Sequence, residues 1–264
     1  MHELRITREN ARFQQWEALL TNRSKRHRSR EFLVQGVRPI TRAVEQGWPV
    51  RALLRAEDAS SDWAEDQWRR TTGERVVLSP ALHARLSGRD EGAELVAVVE
   101  MPEDGLTRLT ESQRPHGPVV VLDRPASPGN IGTLARSADA FGAAALVVTG
   151  HAADPYDPRA VRASTGSLFA LTVLRVPGHG PVVEWAHEHG YRIVGTDEHG
   201  TDLGSVDLSG RLVLVVGNET DGLARGWREA CDDVASISMV GTASSLNAAV
   251  AGSIVLHETL RRRD

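Results

Sequence analysis

The run Val119-Val120-Val121-Leu122 carries no polar residue for either face, so a strand built from it must be covered on both sides. A parallel sheet flanked by helices provides that cover, whereas an antiparallel sheet wetted on one face does not. Ala145–Thr149, Tyr191–Thr196, Arg211–Val216 and Val234–Ile237 read as further strands, with helical patterns between them, so the second half of the chain is expected to be an α/β sheet domain. In the helix after the first strand, Ile131, Leu134, Ala135, Ala138 and Phe141 form the apolar stripe and Asn130 is the expected N-cap. The last helix is expected from about Ser245 to Arg263, with a small-residue face of Ala248, Ala249, Ala251 and Gly252 suited to close packing.

The first half has a different rhythm. Phe13, Trp16, Leu19 and Leu20 fall at helical spacing and lead into the basic run Arg23 to Arg30. A strand at Glu31–Gly36 and a helix to about Gln46, closed by Gly47, come next. Strands at Val50–Leu54, Arg75–Leu78 and Leu95–Val99 then alternate with helices at Trp63–Arg70 and Pro80–Leu86. This is the pattern of a small α/β sandwich. Pro- and Gly-rich breaks at Met101–Gly105 and Gln113–Pro118 mark a linker, which divides the chain into 1–101, 102–117 and 118–264.

Charge is distributed unevenly. The chain carries a net −4, but residues 1–30 hold eight basic groups against three acidic ones, a net +5 that leaves −9 for the rest. Arg23, Lys25, Arg26 and Arg28 are accordingly expected to meet a polyanion. The near absence of lysine reads as genome composition rather than a choice of guanidinium chemistry. Cys231 has no second cysteine to pair with, and Asp232 and Asp233 beside it disfavour a thiolate. Redox and structural-zinc chemistry are set aside on this ground; His187, His189 and Asp197-Glu198-His199 read as surface or loop residues rather than metal ligands. No run approaches the ~18 apolar residues of a membrane span, and Met1-His2-Glu3-Leu4-Arg5 is unlike a secretory signal, so a cytoplasmic location is expected.

Ligands of open α/β sheets bind beyond the carboxyl ends of the strands, where three loops have unusual composition. They are Asp123–Gly132 with Arg136 on the following helix, Val216–Leu223, and Ile237–Asn247. Arg136 lies six residues beyond Asn130, about 9 Å along a helix axis, but leans back toward the N-terminus, so both can serve one site. From this loop alone, a capping Asn130 and a solvated Arg136 fit equally well. Glu219 is expected at a helix start, where a carboxylate is favoured and could also orient a ribose hydroxyl. Ser244, Ser245 and Asn247 offer more capping groups than one helix needs. Gly129 and Gly132 do not complete a dinucleotide fingerprint, which argues against a nicotinamide cofactor.

Together the three loops resemble the motifs of the SpoU/TrmH class of SPOUT RNA 2'-O-ribose methyltransferases: Ser127-Pro128-Gly129-Asn130-Ile131-Gly132 with Arg136, Gly217-Asn218-Glu219 with Gly222-Leu223, and Ser245-Leu246-Asn247-Ala248. The N-terminal part is similar to that class's L30e-like substrate-binding domain, and the stretches Asn10–Phe13 and Gly36–Pro39 resemble actinobacterial members that modify large-subunit rRNA. The sequence departs from the motifs at Ser127, where Asp is usual, and at Ala248, where Val is commoner. The resemblance implies a C-terminal SPOUT α/β domain with a deep trefoil knot and a homodimer, for which the small-residue face of the last helix offers a packing surface. It further implies S-adenosylmethionine held by Thr196, Gly217, Ile237, Met239, Leu246 and Asn247. Asn130, Arg136, Glu219, Ser245 and Asn247 would surround the reacting ribose, and Arg162 would contact RNA. Neither a metal nor a membrane is implied. The expected activity is 2'-O-methylation of 23S rRNA, with resistance to a ribosome-targeting antibiotic as one purpose. The alternatives are a tRNA substrate or a non-catalytic RNA-binding protein on the same fold. The arginine of the first motif has two candidate roles, base for the hydroxyl or clamp for the target phosphate. A guanidinium is ordinarily locked in its charged form, which suits the clamp.

Overall fold

The computed structural model describes residues 3–57, 61–88, 93–112 and 114–262. Contacts divide the chain into two units: one holds the stretch up to Pro102 together with Tyr156–Ala170, the other Glu103–Pro155 and the chain from Leu171 onward.

The first unit comprises β1 (Glu3–Ile6), α1 (Ala11–Thr21), α2 (Arg23–Ser29), β2 (Glu31–Gln35), α3 (Val37–Glu45), β3 (Val50–Ala56), α4 (Asp62–Arg70), β4 (Glu74–Leu78), α5 (Pro80–Ser87) and β5 (Leu95–Glu100). The Asn10 side chain accepts from the Phe13 amide at 2.9 Å and Asn22 from the Lys25 amide at 3.0 Å, so each of the first two helices starts on a capping asparagine. Phe13, Trp16 and Leu19 of α1 bury against Leu33, Leu54, Val76 and Val98 of a five-stranded sheet ordered β1-β4-β3-β5-β2. β1 is absent from the sequence reading. It is four residues long, pairs with β4 at the sheet edge, and shows too short an alternation to register as a strand.

The helices at Pro158–Ala163 and Ser167–Ala170 belong to this unit although the chain reaches them much later. Phe169 stacks on Phe32 with centroids 6.2 Å apart and accepts from Trp48 Nε1 at 3.0 Å, while Tyr156 lies 4.9 Å from Phe32. The divisions 1–101, 102–117 and 118–264 follow the order of the chain, whereas the units follow contact. Leu109, within 102–117, is buried in the core of the second unit. Gln113 of that interval and Arg263 of the expected last helix lie outside the described residues.

The second unit contains α6 (Thr107–Thr110), β6 (Val119–Asp123), α7 (Pro128–Ala140) and β7 (Ala145–Thr149); the two helices just described are α8 and α9. Then come β8 (Thr172–Val176), α10 (His179–Glu188), β9 (Arg192–Asp202), β10 (Leu212–Val216), α11 (Arg225–Ala230), β11 (Asp233–Ser236) and α12 (Ala248–Arg261). The six strands pair in parallel in the order β11-β9-β10-β6-β7-β8. Strands β6 and β10 are neighbours from which the sheet grows outward in opposite directions, the switch point at which α/β sheets open a crevice. Val216 pairs with Leu122 on one side and Thr196 on the other, so β6, β9 and β10 reach level positions at that edge.

Four local expectations are corrected. α7 starts at Pro128 with Ser127 at its N-cap, which places Asn130 inside the first turn; its side chain is spent elsewhere. α12 starts at Ala248, because Asn247 takes the capping position by accepting from the amides of Ala249 and Val250. Glu219 is not at a helix start, since the chain turns back on itself there and α11 begins at Arg225. The small-residue face of α12 is also used differently: Ala248, Ala249 and Gly252 are buried within the unit, where α12 packs on α7 and β10.

Candidate active site

The loops leaving β6, β10 and β11 meet through one chain of hydrogen bonds. Asn247 Nδ2 donates to Asn130 Oδ1 at 3.0 Å, and Asn130 Nδ2 donates to Glu219 Oε1 at 2.7 Å. The other carboxylate oxygen accepts from the Ala126 amide at 3.2 Å. The direction of this chain is fixed, because Asn247 Oδ1 is already occupied by the first amides of α12. The turn that carries Glu219 closes by paired bonds between Asn218 and Gly222 at 2.9 and 3.1 Å, and Asn218 Oδ1 accepts from the Thr220 amide at 2.8 Å. Burial pushes the Glu219 carboxyl up, but bonds from Asn130 and from the amides of Glu219, Ala126 and Ser127 outweigh it and hold the pKa below its ordinary value. The group is therefore ionised at neutral pH, and the stability it contributes is lost only as pH falls through that lowered pKa.

Beside this chain lies a cleft of about 490 Å³, within the roughly 300–1,000 Å³ of small-molecule sites. Thr196, Gly217, Ile237, Met239 and Leu246 all line it, as do Glu219 and Ser245. Gly217 presents backbone there of necessity, since a β-carbon would stand 2.4 Å from the Gly222 carbonyl carbon. Ala251 also lines the cleft. Asn247 is joined to the site through Asn130. Arg136 is exposed on α7 and, among the described residues, has no hydrogen-bond or ion-pair partner; the structure does not bring it into the Glu219 chain.

Sequence reasoning passed over Arg228 and treated Asp197 as a surface residue. They form an ion pair of 2.6 Å on the cleft wall, with the Asp197 side chain 6% exposed. Nothing in the sequence marks the pair, which joins the middle of β9 to a helix that follows a different strand. Among the described residues no group of three or more His, Cys, Asp or Glu side chains is placed to hold a metal. Cys231 is pushed up to about 11 by burial and by Asp232, so its thiol stays protonated at neutral pH.

The residues expected to meet RNA all lie in the first unit. Arg23, Lys25 and Arg28 are exposed on α2, and Arg162 is exposed on α8, donating to Gln35 Oε1 at 3.3 Å. Arg26 is a correction. It is 1% exposed, donates to the Leu19 carbonyl at 2.7 Å and faces Asp157 at 3.8 Å, so its charge is consumed inside the fold. Arg26→Gln is expected to destabilise the unit by about 3 kcal/mol in denaturant unfolding, because it removes a buried, hydrogen-bonded cation from the Leu19 carbonyl and from Asp157, which keeps only Arg159 at 3.0 Å among its described cations. An exposed polyanion contact would leave the unfolding midpoint unmoved.

The model of the SpoU rRNA methylase family matches residues 117–257, and that of the SpoU L30e-like domain matches residues 10–97. The chain belongs to the SpoU rRNA methylase family. A 23S rRNA (uridine(2479)-2'-O)-methyltransferase of Streptomyces viridochromogenes is 51% identical over 98% of this chain and 92% of its own. The crystal structure of the SpoU methyltransferase AviRb from that organism, in complex with AdoMet, superposes with a TM-score of 0.91 at 50% identity, over 96% of this chain and 98% of the other. An AdoMet-bound rRNA methyltransferase from Sinorhizobium meliloti gives a TM-score of 0.87 at 28% identity, over 98% of both chains.

Proposed function

We propose that this protein transfers the methyl group of S-adenosylmethionine to a ribose 2'-hydroxyl of 23S rRNA. The observation that carries the reading is the cleft beyond β9 and β10, walled by Thr196, Gly217, Ile237, Met239 and Leu246 and bordered by the ordered Asn247–Asn130–Glu219 chain. The relative that is 51% identical carries the same activity in its name.

In the transfer the sulfonium–methyl bond breaks, the methyl–oxygen bond forms, the hydroxyl proton leaves, and a neutral thioether remains. In-line geometry must supply much of the rate, which calls for rigid walls rather than a metal. Glu219, ionised and holding neutral donors, is a weak base. Its part is to orient Asn130 and, through it, Asn247 toward the ribose. Ser245 is exposed on the cleft wall. Arg136, without a partner among the described residues, is available to clamp the target phosphate and stabilise the developing alkoxide, or to take the proton.

In the same reading residues 1–101 hold RNA through Arg23, Lys25 and Arg28, with Arg162 added by the later segment, and residues 118–264 carry the chemistry. Replacing Arg23, Lys25 and Arg28 together with Gln is expected to flatten the slope of log affinity against log salt by roughly 2 to 3 and leave S-adenosylmethionine affinity unchanged, measured by filter binding and calorimetry. The deep trefoil knot, the cytoplasmic location and a role in resistance belong to this proposal, as does the homodimer. With the small-residue face of α12 consumed internally, the dimer surface is read onto Val250 and Ile254, one turn apart and 45% and 37% exposed. Sedimentation at micromolar concentration checks it, a monomer being the contrary result. No helix among the described residues is long and apolar enough to cross a membrane.

Primer extension at low dNTP concentration, on rRNA from cells with and without the gene, tests the activity. A gene-dependent stop in 23S rRNA is expected. A stop in tRNA alone would move the substrate, and no stop in either would overturn the reading.

A further inference from the structure

The loop 217–223 supplies Gly217 and Glu219 to the site, and its own bonds all centre on Asn218, which pairs with Gly222 and accepts from the Thr220 and Asp221 amides. Two arginines fasten it. Arg124 follows β6 directly and has φ +48°, in the left-handed region that a non-glycine residue enters only when its surroundings hold it there. Its amide donates to the Thr149 carbonyl at 2.9 Å, and its Nε donates to the buried Asp123 carboxylate at 2.9 Å, which in turn accepts from Thr149 Oγ1 at 2.8 Å. A β-carbon at Gly150 would lie 2.7 Å from Arg124 Cγ, so that position is kept clear for the side chain. What the arrangement delivers is contact with the loop. The Arg124 carbonyl accepts from Asn218 Nδ2 at 2.6 Å, Nη2 donates to the Gly222 carbonyl at 3.4 Å, and Nη1 faces Asp221 at 3.6 Å.

Arg228 takes the other end. Its Nη2 donates to Asp197 at 2.6 Å and its Nε to the Leu223 carbonyl at 3.3 Å, which ties the end of the loop to the residue after Thr196. Arg228 and Asp197 line the cleft, whereas Arg124 does not. Arg124 instead grips Asn218, whose neighbour Glu219 holds Asn130 and thereby Asn247.

We propose that Arg124 and Arg228 are positioning residues with separate duties, Arg228 fixing the cofactor wall of the cleft and Arg124 fixing the Glu219 side where the ribose is held. The inference rests on the function proposed above. It has a signature that a merely structural role lacks, because the two substitutions should damage different steps.

The test uses the full-length protein, S-adenosylmethionine binding by calorimetry, and single-turnover methylation of unmodified 23S rRNA at saturating cofactor. Arg228→Gln is expected to weaken cofactor binding roughly tenfold, by loss of preorganisation, with a near wild-type single-turnover rate once the cleft is filled. Arg124→Gln is expected to do the reverse, lowering the rate by about 10²-fold, the scale of a misplaced reacting group, with affinity nearly intact. Arg124→Lys and Arg228→Lys keep the charge but not the two-point grip, so each should show the same split in milder form. These lysine variants carry the test if a glutamine variant fails to fold, with thermal unfolding read alongside. Parallel losses of affinity and rate in both positions, or wild-type behaviour in both, would overturn the proposal. Wild-type protein that does not bind S-adenosylmethionine would overturn the functional reading itself, a result distinguishable from either.

Discussion

Replacing Arg136 with alanine is expected to slow single-turnover methyl transfer by on the order of 10²-fold or more, the scale of a lost transition-state electrostatic contact. The structure makes this a clean experiment. Arg136 is exposed on α7, outside the lining of the cleft and without a partner among the described residues. Its removal should therefore change neither the unfolding midpoint nor S-adenosylmethionine affinity. Arg136→Lys separates the two candidate roles, since lysine keeps a positive charge but cannot grip a phosphate through a planar fork. A weak lysine variant supports the clamp. An active one whose rate rises with pH supports proton removal by the side chain, and an active one with a flat profile supports a point charge. Wild-type rates in the alanine variant would remove this arginine from the site altogether.

Ala251→Trp is expected to abolish detectable S-adenosylmethionine binding while the protein stays folded. Ala251 sits on the first turns of α12, half-buried, and lines the cleft. An indole there would take up a substantial part of the space in a cleft of about 490 Å³, and a side chain that occupies the site competes with every ligand conformation at once. The measurement is calorimetry beside a thermal unfolding curve and a sedimentation profile. Retained cofactor binding would show that the cofactor lies elsewhere. Intact binding with a shift to monomer would return Ala251 to the dimer surface that its small-residue neighbours first suggest.

The sequence by itself determined the class of fold and which loops gather at one end of the second sheet. Wholly apolar runs such as Val119–Leu122 permit only a strand covered on both faces, and that requirement is local, so it survives without any knowledge of neighbours. The motif residues were legible for a similar reason. Gly217 follows β10, and Ile237 and Met239 follow β11, where the sheet's topology gathers loops whatever their details. What only the tertiary structure decided are the contacts between residues far apart in the chain. Asn130 looks like a helix cap, but Glu219, 89 residues away, and Asn247, 117 away, claim its amide. Arg26 looks like one more member of a basic run, but Asp157 and the Leu19 carbonyl take it into the interior. Residues 156–170 look like part of the second domain by order, but Phe169 and Tyr156 pack around Phe32. Hydrophobic periodicity repeats every few residues and can be read along the chain. A charge or an amide carries no such period, and its partner is set by which strands lie side by side, an order that exists only once the sheet has formed.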